Sequence, residues 1–269
     1  MPAIRTEDRI FPCRGILFDK DGTLLDFMAL WSDWALTLTR LVEGQLTVMG
    51  AAATVPAENL LGLMLDTDGQ MKGYDKTGPL AMGTEEEVTA ILAWQLYVAG
   101  VPWNEALLQI RSFNTVAMQK LEEKRNAVPI RGLHGFLTRC EAAGIRLGVV
   151  TSDTTEGAVK HMDWLGIRKY FGSIVGRDRV INGKPDPEMA ELAMGELGIQ
   201  AEDCLMIGDS NADMMMGKLA GLYGTIGIAS EPDAAHYLVD ADWIIPDYTV
   251  MEPIANADSI TLKEDKQRE

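Results

Sequence analysis

The sequence predicts an α/β fold, a parallel sheet with helices on both faces, interrupted near its start by an inserted all-helical domain. Three observations carry this. Beyond residue 127, short apolar runs alternate with amphipathic stretches at the rhythm of strand and crossover helix. A similar run, Ile16, Leu17 and Phe18, stands alone near the amino terminus and has the composition of a central strand buried on both faces. Between them, residues 27–126 carry helical spacing almost throughout. The implied boundaries are 1–24 with 128–269 for the sheet domain and 25–127 for the insertion.

The elements follow in order. Residues 27–43 place Phe27, Leu30, Trp31, Trp34, Leu38 and Leu41 on one helical face, an aromatic stripe suited to packing. Residues 56–66 read as a second helix with Pro56 in its first turn. Thr84 with Glu87 three residues on is a capping-box pattern opening a third helix to about Ala99, and Pro102 opens a fourth toward Asn126. The exception is residues 66–83, rich in glycine and without a sustained period, which read either as a connector or as a functional loop. Strands are then expected at 145–150, 173–176, 204–208, 224–229 and 242–245. Helices are expected at 154–166, 187–198, 211–221 and 231–239, with a charged, frayed tail from Ser259.

Composition narrows the function. The formal net charge is −16, which disfavours binding to the nucleic-acid backbone or to anionic membranes. No stretch is apolar and long enough to span a bilayer, and the charged N-terminal segment does not read as a signal peptide. Cys13, Cys140 and Cys204 are odd in number and widely spaced, so they read as reduced core thiols of a cytoplasmic protein. His134, His161 and His236 share no ligand spacing and read as surface or helix-packing residues. The glycines of 221–227 precede a strand, where a dinucleotide loop would follow one, and so read as an ordinary turn.

Several strands end in polar clusters. Residues 16–18 run into Asp19, Lys20, Asp21 and Gly22, strand 145–150 into Thr151, Ser152 and Asp153, and strand 204–208 into Asp209, Ser210, Asn211 and Asp213. Lys184 lies in a Gly-Lys-Pro turn before the helix at 187. A parallel sheet brings its strand ends to one edge, where ligands bind. Carboxylates crowded there repel unless a cation sits among them, and an all-oxygen set suits Mg²⁺. The lysine and the threonine hydroxyl would complement a phosphate. Strand alternation points Lys20 away from Asp19 and Asp21 and leaves it peripheral.

In that order, FDKDGTL, VVTSD, GKPDP and IGDSNAD resemble the four motifs of the haloacid dehalogenase superfamily, over 15–24 and 128–246, and most nearly its phosphoglycolate phosphatase-like subgroup. The resemblance implies a Rossmann-like core and a mobile helical cap inserted after the first motif. It implies an Mg²⁺-dependent phosphatase that forms an aspartyl-phosphate from a small phosphorylated metabolite. Asp19 would be the nucleophile and Asp21 the general acid and base. Mg²⁺ would rest on the Asp19 carboxylate, the Asp21 carbonyl and Asp209. Thr151 and Ser152 would hold phosphate, and Lys184 would neutralise charge on Asp19 and the phosphoryl oxygens. Asp213, together with Ser210 and Asn211, would support them. Lys72, Tyr74 and Lys76 in the 66–83 loop are candidate substrate contacts.

Two other readings share these residues: a β-phosphoglucomutase-like phosphomutase, and a non-catalytic binding protein on the same fold. Both acids, the threonine, the lysine and the third aspartate are all present, which speaks against the binding protein. A monomer or a homodimer is expected, with no nucleic-acid or membrane partner.

Overall fold

The apolar runs that end in acids become the inner strands of one sheet. The structure is a computed structural model describing residues 1–7, 9–231 and 234–256. The chain divides into two units, Met1–Asp26 with Val128–Glu269, and Phe27–Ala127. It opens with β1 (Ala3–Arg5), β2 (Ile10–Pro12) and β3 (Gly15–Phe18). The inserted unit follows, with α1 (Phe27–Val48), α2 (Ala57–Leu61), β4 (Leu63–Leu65), β5 (Met71–Tyr74), α3 (Pro79–Met82), α4 (Glu85–Val98) and α5 (Trp103–Lys124). The first unit resumes with α6 (Leu133–Ala143), β6 (Arg146–Thr151), α7 (Thr155–Trp164), β7 (Phe171–Gly176), α8 (Glu188–Leu197), β8 (Cys204–Gly208), α9 (Asn211–Leu219), β9 (Gly224–Ile228), β10 (Trp243–Ile245) and β11 (Glu252–Ile254).

In the first unit, six parallel strands lie in the order β10-β9-β8-β3-β6-β7. β3, first of these in the chain, sits in the middle and is buried along its whole length. Its alternation sends Leu17 and Phe18 to opposite faces. Leu17 packs with Met189, Ala193 and Leu197 of α8, while Phe18 meets Phe136 of α6 and Tyr248 edge-on or tilted. Each such side chain, fully buried, stabilises the fold by about 1.5–3 kcal/mol. A small antiparallel sheet, β11-β1-β2, pairs Ala3–Arg5 with both Ile10–Pro12 and Glu252–Ile254. Cys13, Cys140 and Cys204 are free and buried, and burial pushes the thiols of Cys13 and Cys204 up to about 12.

The inserted unit is built around α1, α4 and α5. Thr84 and Glu87 form the expected capping box on α4. Trp34 Nε1 donates to Asn114 Oδ1 at 2.8 Å, and Asn114 Nδ2 donates to Oε1 of the exposed Glu85 at 2.5 Å, so the buried amide of α5 is satisfied by groups from α1 and α4. The unit is mainly but not wholly helical. The helix expected over 56–66 stops at Leu61, because Gly62 turns left-handed at φ 77°. β4, in residues expected to be helical, then pairs antiparallel with β5, in residues expected to be irregular. The reversal is an Asp66 turn, whose Oδ1 accepts from the backbone N–H groups of Asp68 and Gln70 at 2.9 Å each.

Three further differences concern the first unit. α6 and the β11-β1-β2 sheet add to the expected elements. The helix expected at 231–239 is reduced, among the described residues, to a short turn at Ala234–His236, with residues 232–233 outside them. The expected charged tail also lies outside the described residues. Among the described residues, no helix is long and apolar enough to cross a membrane.

Candidate active site

Because β3, β6 and β8 are adjacent and parallel, Asp19, Thr151 and Asp209 emerge on one edge of the sheet. The backbone N–H of Asp19 still donates to Ile207 at 2.9 Å, so its side chain leaves from the last ladder position. The chain then folds back sharply, with the Lys20 carbonyl accepting from Leu24 and Leu25 at 2.8 and 3.2 Å. Gly22 makes this possible at φ +78°. A Cβ there would lie 2.0 Å from Asp209 Oδ2, so only glycine lets the two loops close on each other.

Asp19, Asp209 and Asp213 each offer a carboxylate oxygen within 4.8 Å of the others. Lys184 Nζ enters this group, 2.5 Å from Asp19 Oδ1 and 2.6 Å from Asp213 Oδ1. Asp213 is fixed by its place at the start of α9, where Ser210 caps the helix and its Oγ donates to Asp213 Oδ2 at 2.6 Å. Gly208 is needed beside it, since a Cβ there would come within 2.5 Å of the Asp213 carboxylate. Burial raises the Asp19 carboxyl to about 7, with Asp213 and Asp21 pushing the same way and Lys184 opposing. Burial alone would lower Lys184, but Asp19 and Asp213 outweigh it and hold the ammonium charged.

The donor set suits a hard divalent cation. Three carboxylates face one ammonium, an imbalance that a cation would relieve, and the offered ligand atoms are all oxygens. Asp213 already has one oxygen on Lys184 and the other on Ser210. Asp19 and Asp209 are therefore the side chains best placed to hold the ion.

The remaining expected residues divide. Thr151 is buried and its Oγ1 accepts from the Asp153 N–H at 3.2 Å, while Ser152 is half-buried beside it. Asn211 is committed elsewhere: its Nδ2 donates to Asp240 Oδ2 at 3.0 Å and its Oδ1 accepts from the Asp240 N–H at 2.9 Å. It pins α9 to the segment before β10. In the inserted unit, Lys72 is exposed and Tyr74 is buried, stacked on Phe27 at 4.3 Å. Lys76 lies over the Tyr74 ring and donates to its hydroxyl at 2.7 Å, so these two are accounted for by packing within the unit.

Lys20 is a correction. It is not peripheral but fully buried, with Nζ 2.8 Å from Asp21, 3.1 Å from Asp153 Oδ2 and 3.0 Å from His161 Nδ1. Strand alternation fails to describe it because β3 ends at Phe18, and residue 20 already belongs to the turn. His161 is likewise buried, whereas His134 and His236 are exposed. Tyr248, also missed, is wholly buried and donates its hydroxyl to the Thr23 carbonyl at 3.1 Å, bracing the same turn.

Carboxylates and a buried lysine gathered at the ends of parallel strands, with a helical insertion after the first strand of the main sheet, define a phosphoryl-transfer type of site on an α/β core. The chain belongs to the haloacid dehalogenase-like hydrolases, whose family model matches residues 13–221. It is an enzyme of that family, and phosphoglycolate phosphatases are among its curated relatives. It is 28% identical to the phosphoglycolate phosphatase of Salmonella typhimurium over 246 residues, 85% of this chain and 90% of that one. It is 31% identical to the pyrophosphatase PpaX of Halalkalibacterium halodurans over 142 residues, 52% of this chain and 64% of that protein. Among solved structures, the fold is similar to a β-phosphoglucomutase from Clostridium difficile, with a TM-score of 0.64 at 16% identity over 95% of this chain and 98% of that one. It is also similar to CbbY from Rhodobacter sphaeroides in complex with phosphate, with a TM-score of 0.60 at 21% identity over 88% and 95%.

Proposed function

We propose that this protein is an Mg²⁺-dependent phosphatase of small phosphorylated metabolites, with phosphoglycolate the first to test because of the Salmonella relative. One observation carries the reading: Lys184 bridges Asp19 and Asp213 beside Asp209, leaving excess negative charge among oxygen ligands at the sheet edge.

In this reading a carboxylate oxygen of Asp19 attacks phosphorus, forming an acyl phosphate as the ester P–O bond breaks. Asp21 gives a proton to the leaving oxygen, then takes one from the water that attacks the acyl phosphate and returns Asp19. Lys184 holds the Asp19 oxygen in place and neutralises charge on the phosphoryl group, while Thr151 and Ser152 receive its other oxygens. Mg²⁺, held by Asp19, Asp209 and the Asp21 carbonyl, would supply further charge neutralisation at phosphorus. The residues Met1–Asp26 and Val128–Glu269 would then be the catalytic domain, and Phe27–Ala127 the specificity-bearing cap.

The test is phosphate release from a panel of phosphorylated metabolites, with and without Mg²⁺, for wild type and Asp19→Asn. The expected outcome is metal-dependent release that the substitution reduces by more than about 10³-fold. Release unaffected by Asp19→Asn overturns the nucleophile assignment. Transfer of phosphate between positions of one sugar, without net release, would instead identify a mutase.

A further inference from the structure

The proposed chemistry leaves one buried cation unused. A lysine ammonium taken out of water costs several kcal/mol unless its partners compensate, and a methionine would fill much the same space without that cost. Yet Lys20 lies at 0% exposure, with its ammonium hydrogen-bonded to Asp21 and His161 and ion-paired with Asp153 Oδ2 at 3.1 Å. The ammonium is centred on the Asp21 carboxylate, 2.8 Å from Oδ1 and 2.8 Å from Oδ2.

Its other partners are themselves held. Thr154 N–H donates to Asp153 Oδ1 at 2.6 Å, and a Cβ on Gly157 would fall 2.8 Å from that same oxygen, so the first turn of α7 is shaped around the carboxylate. His161 sits on the inner face of α7 and is 1% exposed. The Asp153 N–H in turn donates to Thr151 Oγ1 at 3.2 Å. One buried network therefore joins the loop after β3 to the loop after β6.

We propose that Lys20, seated on Asp153 and His161, is a positioning residue that fixes the Asp21 carboxylate in the orientation from which it exchanges a proton with the leaving group. This rests on the phosphatase reading, in which Asp21 is the acid. Lys20 exchanges no proton itself: the proton passes from Asp21 to the departing oxygen as the P–O bond breaks. The same network would keep Asp21 in register with the threonine that receives the phosphate.

A leaving-group comparison separates positioning from mere support of the fold. A poor leaving group, an alkyl alcohol, needs the acid, whereas p-nitrophenolate departs without much help. For the best alkyl phosphate of the panel, Lys20→Met should lower kcat by about 10–100-fold, a fraction of what general acid catalysis supplies. KM should change little, and p-nitrophenyl phosphate should lose several-fold less. Asp21→Asn, measured in parallel, should show the same bias more strongly, and Lys20→Arg should restore part of the rate.

An equal loss on both substrates would overturn the proposal and leave Lys20 a structural residue. If Lys20→Met does not fold, Asp153→Asn is read by the same ratio, with a biased loss supporting the proposal and an even one refuting it. Wild-type inactivity on every phosphate would instead sink the phosphatase reading itself.

Discussion

Two buried lysines flank the end of β3, and they are used differently. Lys184 comes from a loop 165 residues away, touches Asp19 and Asp213, and keeps 6% of its side chain exposed beside a carboxylate at 11%. Lys20 is local, touches Asp21, Asp153 and His161, and is sealed. In the proposed reading the first neutralises the reacting group, while the second acts through Asp21, the residue that exchanges the proton. The contrast shows why burial and charge alone do not mark a catalytic group. What separates the two is which aspartate each one holds, Lys184 the proposed nucleophile Asp19 and Lys20 the proposed acid Asp21.

The largest effect expected from this contrast is at Lys184. Lys184→Met should lower kcat by about 10²–10³-fold on alkyl and aryl phosphates alike, because neutralising the phosphoryl group serves every leaving group. A leaving-group bias like that expected at Lys20 would break the distinction.

A smaller effect concerns stability. Burial pushes the His161 imidazole down to about 4, with Lys20 adding to the shift and Asp21 and Asp153 opposing it. Between its ordinary value near 6.5 and 4, the unfolded chain binds a proton there that the folded chain does not. The contribution is therefore complete above pH 6.5 and is lost as pH falls through that window, by at most about 3 kcal/mol. Denaturant unfolding at pH 4.5 and 7.5 should show a steeper loss for wild type than for His161→Asn. Equal losses would mean that the histidine is not held neutral against Lys20.

The smallest effect sharpens the edge of the site. Asn211→Ala removes hydrogen bonds to Asp240, at a cost of about 1–2 kcal/mol in stability. It should change phosphate release by less than about threefold, as expected of a residue away from the reacting groups. A loss of 10²-fold would return Asn211 to the catalytic machinery.

The parts of this site that are legible in sequence are those that interrupt a pattern. Asp19, Thr151 and Asp209 stand where apolar strands stop, and parallel topology alone brings them to one edge. His161 and Tyr248 interrupt nothing: one lies inside an amphipathic helix and the other beyond the alternating region, and only packing joins them to the turn after β3. The hairpin β4–β5 is too short to show alternation, and its strands are held by the Asp66 turn. α6 is a different case. Leu133, Phe136, Leu137 and Cys140 do carry a helical period and are all buried, so its signal was present in the residues.

The bond from Tyr248 to the Thr23 carbonyl, with the pairing of β1 on β11, has a consequence for the order of synthesis. The segment bearing Asp19 is translated well before its neighbours β6 and β8 and before the tyrosine that braces its turn. At ~5–20 residues per second, the gap is on the order of ten seconds or more. Through that interval Asp19 lacks the lysine, the threonine and the brace that surround it in the fold, so this strand end is complete only once residue 248 has emerged.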